Sequence, residues 1–380
     1  MAETRRTRES VEGQLLPEPQ ERSSLPLLEA AAHAAGVPGA LSLARDLRRA
    51  GYFSKTLLGQ WELVAELLAE RLAPAADPVG TALRLARHPE PRVRFHAPGT
   101  ISRLLAAQPR EALRVLQGLA ADPDPRVGEA MTAFGVRPNA EALGPEAVAA
   151  LLPWSADAAA AVRRAAVEGT RPRGVWVRRL AWAVEAPARL VPLLERLRND
   201  TELVVANAVG NSLNDISKDH PEFALDIAGQ WLAQRRPGPW TAHSVRKGLR
   251  TLVKEGEPRA LRLLGFRPLQ VEARARLRNG TQAAPNSALH FELRLRNLGG
   301  SAAAHLVYEI ETPGRLAGRP RRKRFHWGSL QLPARDTLAV RVRERIFDTR
   351  AAPLLDGPCR AGFFLNGQPV AEVRFELRRS

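Results

Sequence analysis

Carboxylates set among cations are the residues of this chain best suited to chemistry. Glu168 and Asp215 lie in the run Val162–Asp219, which also holds Arg163, Arg164, Arg171, Arg173, Lys218, the indoles Trp176 and Trp182, and an Asn-rich segment with Asn207, Asn211 and Asn214. Glu129 occupies a related place one structural period earlier. A carboxylate close to a phosphate backbone is favoured where it faces positive charge. In a nucleic-acid enzyme that charge is an alkylated cationic base, or the oxocarbenium sugar formed as its glycosidic bond breaks. The competing arrangement is an ordinary ion pair of Glu168 with Arg163, Arg164 or Arg171. An indole at a groove edge, Trp154 or Trp176, can stack on a base or face a cation, whereas Trp182, Trp231 and Trp240 are expected to fill core.

Helices must position these groups. Leu57, Leu58, Trp61, Val64, Leu67, Leu68 and Leu72 recur at helical spacing. A repeat follows, with Pro- or Asp-led turns before Val93, Val127, Val162, Val205 and Val245, at intervals of 34, 35, 43 and 40 residues. Such intervals hold two antiparallel helices and their turns, the period of HEAT-like solenoids. The expected fold is mainly α, with a flexible lead-in over 1–38 and a HEAT-like helical solenoid over 39–266. After Pro268 the period becomes two, and seven short runs from LQVEARARL to AEVRFELR predict an all-β immunoglobulin-like sandwich over 267–380.

The net charge of +17, carried mostly by Arg, points to a polyanionic partner. Residues 267–380 hold 21 Arg and Lys against 10 Asp and Glu, a charge of +11 that leaves +6 for the rest. The cluster Arg319, Arg321, Arg322, Lys323, Arg324 is either an accessory phosphate contact or a solvated loop. The single cysteine, Cys359, excludes an internal disulfide and a Cys-based zinc cluster, and the histidines lack H-x-x-x-H spacing, so no metal is expected. Neither a phosphate-cradling Gly loop nor a Gly-x-Ser-x-Gly elbow is present, which argues against nucleotide hydrolysis and esterase chemistry. No apolar run approaches a membrane span and MAETRRTRESVEGQ has no signal-peptide core, so a cytoplasmic protein is expected.

VRRAAVEGTRPRGVW, PLLERLRND, VGNSLNDISKDHPEFALDIAGQW and HSVRKGLRTLVKEGEPRALRLLGF together resemble the DNA alkylation-repair glycosylases of the AlkC type, relatives of AlkD in the HEAT-repeat glycosylase superfamily. The resemblance covers about 123–266, and the strand-rich tail resembles the immunoglobulin-like domain that some members append. It implies excision of N3-methyladenine and N3-methylcytosine type lesions from double-stranded DNA by a monomer, without a cofactor and without obligatory base flipping. A non-catalytic protein that binds damaged or distorted DNA is the alternative. By the same resemblance Glu129, Glu168, Asp215 and Trp176 are catalytic, and Arg171, Arg173, Lys218, His243, Arg246 and Lys254 grip phosphates, joined by Arg163, Arg164, Asn211 and Lys247. Ala206 and Asn207 stand where the family carries basic residues, which removes two expected phosphate contacts.

Overall fold

A computed structural model of the chain describes residues 24–174, 177–314, 319–348 and 353–379. The chain divides into two compact units, Met1–Ile216 with Arg236–Ser244, and Ser217–Arg235 with Val245–Ser380. The first is helical. The second joins the last helices to two β-sheets.

In the first unit every anchor valine is buried in a helix start: Val93 in Pro91–Arg94, Val127 in Pro125–Ala130, Val162 in Ala160–Thr170 and Val205 in Leu203–Asp219. The turns before them are fixed by carboxylates. Asp122, Asp157 and Asp200 each accept the backbone N–H two residues on, from Asp124, Ala159 and Glu202, all at 2.9 Å. Short Asp side chains favour this local bond, so they punctuate the repeats.

After two of the anchors, Val93 and Val162, the next residue ties neighbouring repeats together. Arg94 forks onto Asp122 at 2.6 and 3.0 Å and also donates to the carbonyls of His88 and Pro89. Arg163 does the same two repeats further along, forking onto Asp200 at 2.6 and 2.9 Å and donating to the carbonyls of Asp157 and Ala158. Between them the slot is Gly128, and in the following repeat it is Ala206, which is buried. The position is therefore used for packing and inter-repeat pairing, and a basic residue in place of Ala206 would not face solvent.

Residues 1–23 of the expected lead-in lie outside the described residues. Ser24–Ala34, in the same expected stretch, is a packed helix that buries Leu25, Leu28, Ala31 and Ala32. Glu29 accepts the Ala44 N–H at 2.9 Å and Arg84 donates to the Ala35 carbonyl at 2.8 Å. Trp154 is 2% exposed, so it is core and not a groove-edge platform.

Among the described residues the second unit contains eight strands: β1 Val271–Leu277, β2 Gln282–Ala283, β3 Ala288–Asn297, β4 Ala302–Thr312, β5 Arg321–Leu332, β6 Thr337–Arg345, β7 Gly357–Leu365 and β8 Gln368–Leu377. They form sheets ordered β1-β3-β6 and β2-β8-β7-β4-β5, antiparallel except for the β2–β8 pair. The two sheets share one buried cluster that includes Leu289, Phe291, Leu293, Tyr308, Phe363 and Phe375. Cys359 is buried there, and desolvation pushes its thiol up to about 11. The preceding segments of this unit meet the sheets through Asn366, which donates to the Arg267 carbonyl at 2.7 Å after the last helix, and Arg324, which donates to the Glu255 carbonyl at 2.8 Å. A Cβ on Gly367 would lie 2.8 Å from the Gly256 carbonyl oxygen. These contacts explain why the compact unit starts well before Arg267.

The Arg163–Asp200 fork yields a stability prediction. Asp200 is only 5% exposed, so Arg163→Met strands a desolvated carboxylate and lowers stability by roughly 2 to 3 kcal/mol. Adding Asp200→Asn restores part of the loss. A denaturation midpoint unchanged by Arg163→Met would contradict the inter-repeat role.

Candidate active site

Two helices build the site. Ala160–Thr170 carries Arg164 and Glu168 four residues apart, hence on one face. The helix ends at Arg171, which precedes Pro172: the proline ring disfavours the α conformation there, and Arg171 takes φ −56° and ψ 137°. Gly169 permits the helix to approach its neighbour, since a Cβ there would stand 2.3 Å from Val136 Cγ1. Leu203–Asp219 supplies Asn211 and Asp215, again four residues apart on one face.

Arg171 joins the two helices. Its guanidinium donates from Nε to Asp215 Oδ2 at 2.8 Å and from Nη1 to Glu168 Oε2 at 2.8 Å, with Nη2 also 2.8 Å from Asp215 Oδ2. Asn211 Nδ2 donates to the other Glu168 oxygen at 3.2 Å. Side-chain exposure is 1% for Asp215, 9% for Arg171 and 13% for Glu168, so the aspartate lies innermost and the glutamate is the more accessible carboxylate. Burial works to lower the Arg171 pKa, but Glu168 and Asp215 outweigh it and the net shift is upward, so the cation is secure. Two carboxylates share this one guanidinium, leaving the triad with a formal charge of −1.

Arg164 pairs with Glu129, which brings that third carboxylate to the same helix face as Glu168.

Sequence reasoning missed Arg137. The chain contains Arg-Pro after Gly-x three times, GVRP at 135–138, GTRP at 169–172 and GFRP at 265–268, and the first two are handled differently. At the first, the helix continues through a π-helical turn, Met131–Val136, into Arg137–Leu143, absorbing Pro138. The Gly135 carbonyl accepts instead from Ser102 Oγ at 2.9 Å and Asn139 Nδ2 at 2.7 Å. Arg137 is thereby turned inward, 4% exposed, donating to the carbonyls of Arg171 at 2.8 Å and Arg178 at 3.0 Å. It thus sits on the C-terminal end of the Ala160–Thr170 helix, where carbonyl dipoles favour a cation. Burial, and then the neighbouring Arg171, bring its pKa down to about 10. The repeated Gly-x-Arg-Pro was the available signal.

The remaining expected residues are placed as follows. Arg163 is engaged by Asp200, away from the triad, and Arg173 is half-buried. His243 Nε2 is 3.0 Å from Asn207 Oδ1, so Asn207 holds a histidine. Trp176 lies outside the described residues. Lys218, Arg246, Lys247 and Lys254 belong to the second unit; Lys218 and Arg246 are exposed, Lys247 and Lys254 half-buried. Among the described residues no group of three or more His, Cys, Asp or Glu could hold a metal ion, and no helix is long and apolar enough to cross a membrane.

The described backbone superposes on the Pseudomonas fluorescens alkylpurine DNA glycosylase AlkC, solved bound to DNA containing an abasic-site analogue, with a TM-score of 0.81 over 94% of this chain and 97% of that one, at 23% identity. The chain has the AlkC fold. AlkD2 from Streptococcus mutans aligns over 55% of this chain and 97% of its own, with a TM-score of 0.43 and 21% identity. No family model matches the chain. The uncharacterized protein YhaZ of Bacillus subtilis (strain 168) is 38% identical over 133 residues, 35% of this chain, and the match spans 36% of that relative's length.

If Arg137 holds the segment after the helix end, Arg137→Gln should unlock it locally. Amide hydrogen exchange of 171–174 and 177–180 is expected to accelerate at least tenfold in this variant while helices elsewhere keep their protection. Equal protection in both proteins would contradict the assignment.

Proposed function

We propose that this chain is a DNA glycosylase of the AlkC and AlkD superfamily that excises cationic alkylated bases, of the N3-methyladenine and N3-methylcytosine type, from duplex DNA. The observation that carries this reading is Glu168, whose two oxygens are fixed by Arg171 and Asn211 while its side chain keeps 13% exposure, within the fold of a glycosylase that was solved on DNA.

The chemistry fits that geometry. An N3-alkylated base already carries a positive charge, so the C1′–N bond can break with its electron pair passing to the base, which leaves neutral. Positive charge then develops on the sugar. A triad of charge −1, already oriented, stabilises it without reorganising. Water adds to C1′ and gives up a proton, and an abasic site remains. Since the base needs no protonation, the reading does not require flipping into an acid-bearing pocket, the usual glycosylase logic.

Glu168 would face the sugar and hold the water, with Asp215 acting behind it through Arg171. Glu129, paired to Arg164, would complete the acidic face, and Trp176 would lie against the sugar. Phosphate contacts are assigned to Arg173 and His243, and in the second unit to Lys218, Arg246, Lys247 and Lys254. We also read the helical repeats as HEAT-like, the two sheets as an immunoglobulin-like sandwich, and the protein as a cytoplasmic monomer.

The test is release of free methylated base from methylated duplex DNA under single turnover. Glu168→Gln keeps the side-chain volume and is expected to slow release roughly 10²- to 10³-fold. Release by the unsubstituted protein no faster than by this variant, with salt-dependent DNA binding retained in both, would replace the enzyme reading with that of a non-catalytic protein binding damaged or distorted DNA.

A further inference from the structure

The second unit carries a cleft of about 300 Å³ whose lining includes Ile310, Lys323, Phe325, Arg345, Phe347 and Leu354. Its composition follows from strand alternation. Antiparallel register places Tyr308 opposite Phe325, Ile310 opposite Lys323 and Thr312 opposite Arg321, so these side chains share one face of β4 and β5. On the other face Arg322 pairs with Glu311, and Arg324 with Glu309 and Glu255. The cations of β5 are thus sorted: one face is neutralised by glutamates and the other opens onto an apolar floor. Among the described residues neither Lys323 nor Arg345 has a carboxylate partner; Lys323 Nζ lies 5.0 Å from the Phe325 ring centre, and the Arg345 guanidinium 5.7 Å from that of Phe347.

Phe347 is 55% exposed, and the exposure is built in. Asn286, in the left-handed conformation at φ 63°, clamps the backbone on both sides of it. The Asn286 N–H donates to the Ile346 carbonyl and its Oδ1 accepts from the Asp348 N–H, both at 2.9 Å, while Arg345 Nε donates to the Asn286 carbonyl at 2.8 Å. Phe325 is backed by Tyr308, stacked at 5.1 Å and 10°, with the Tyr308 hydroxyl donating to Glu344. One aromatic side chain is therefore presented at the rim from a held backbone and another is packed at the floor, with cations beside both.

We propose that this cleft binds one unstacked nucleotide of single-stranded DNA, the base against Phe347 and the floor and the flanking phosphates on Lys323 and Arg345. Fixed aromatic faces beside cations that lack carboxylate partners are what sequence-tolerant single-strand binding uses. The cations repel a positively charged alkylated base, so the ligand is an ordinary base and the cleft is not a lesion pocket.

The experiment is fluorescence anisotropy of the full-length protein with a labelled oligothymidylate and, in parallel, a fully paired duplex of equal length. Phe347→Ala, an exposed position whose change leaves the melting temperature unaltered, is expected to weaken oligothymidylate binding about tenfold or more and duplex binding less than twofold. Lys323→Ala with Arg345→Ala is expected to reduce the salt slope of oligothymidylate binding by about 1.4, at about 0.7 per phosphate released. Unchanged oligothymidylate affinity in Phe347→Ala, or equal loss on both ligands, would overturn the proposal. So would binding of an acidic, Phe-containing peptide in place of the oligonucleotide. No base release is measured, so failure here is distinct from failure of the glycosylase reading.

Discussion

A buried guanidinium shared by two carboxylates is the interaction on which the site depends. Arg171 reaches both Glu168 and Asp215 from the point where its helix stops after Thr170, a stop that Pro172 favours. Taking three charges out of water is expensive unless each is hydrogen-bonded. Here the hydrogen bonds converge: Asn211 takes the free Glu168 oxygen, and Arg137 takes the Arg171 carbonyl. Removing Arg171 would leave both carboxylates desolvated without their shared cation, so the cluster depends on this one guanidinium for its geometry before a substrate arrives. That is the preorganisation that stabilisation of a developing positive charge requires.

Much of the fold could be read from periodicity. The anchor valines proved buried, and the period-two face Leu289, Phe291, Leu293, Leu295 lies in the β core, because burial imposes these spacings directly. The two-residue strand β2 was missed, being too short to show a period. Charge was harder to interpret. Glu168 with Arg171, three residues apart on one chain segment, was among the foreseeable pairings; Asp215, 44 residues from Arg171, was not. Arg163 and Arg171 were expected on phosphates, yet both are held by carboxylates, since a guanidinium satisfies either anion equally well. Arg137 escaped notice because its acceptors are main-chain carbonyls, which any residue could supply.

The β region applies the same rule in the opposite sense. Along β5, glutamates on β4 neutralise one face, and the other keeps its positive charge beside aromatic rings. The net charge of +17 is therefore an imperfect guide to where a polyanion would bind. Pairing decides which arginines remain available, and pairing is a property of the fold.

The central claim is that Glu168, Arg171 and Asp215 act as one unit in breaking the glycosidic bond. A double-mutant cycle on single-turnover release of N3-methyladenine tests it most directly, comparing Glu168→Gln, Asp215→Asn and the double variant. The account predicts strong non-additivity, with the double variant no slower than about threefold below the slower single variant. Rate losses that multiply in the double variant would mean that the two carboxylates act independently, and would contradict it.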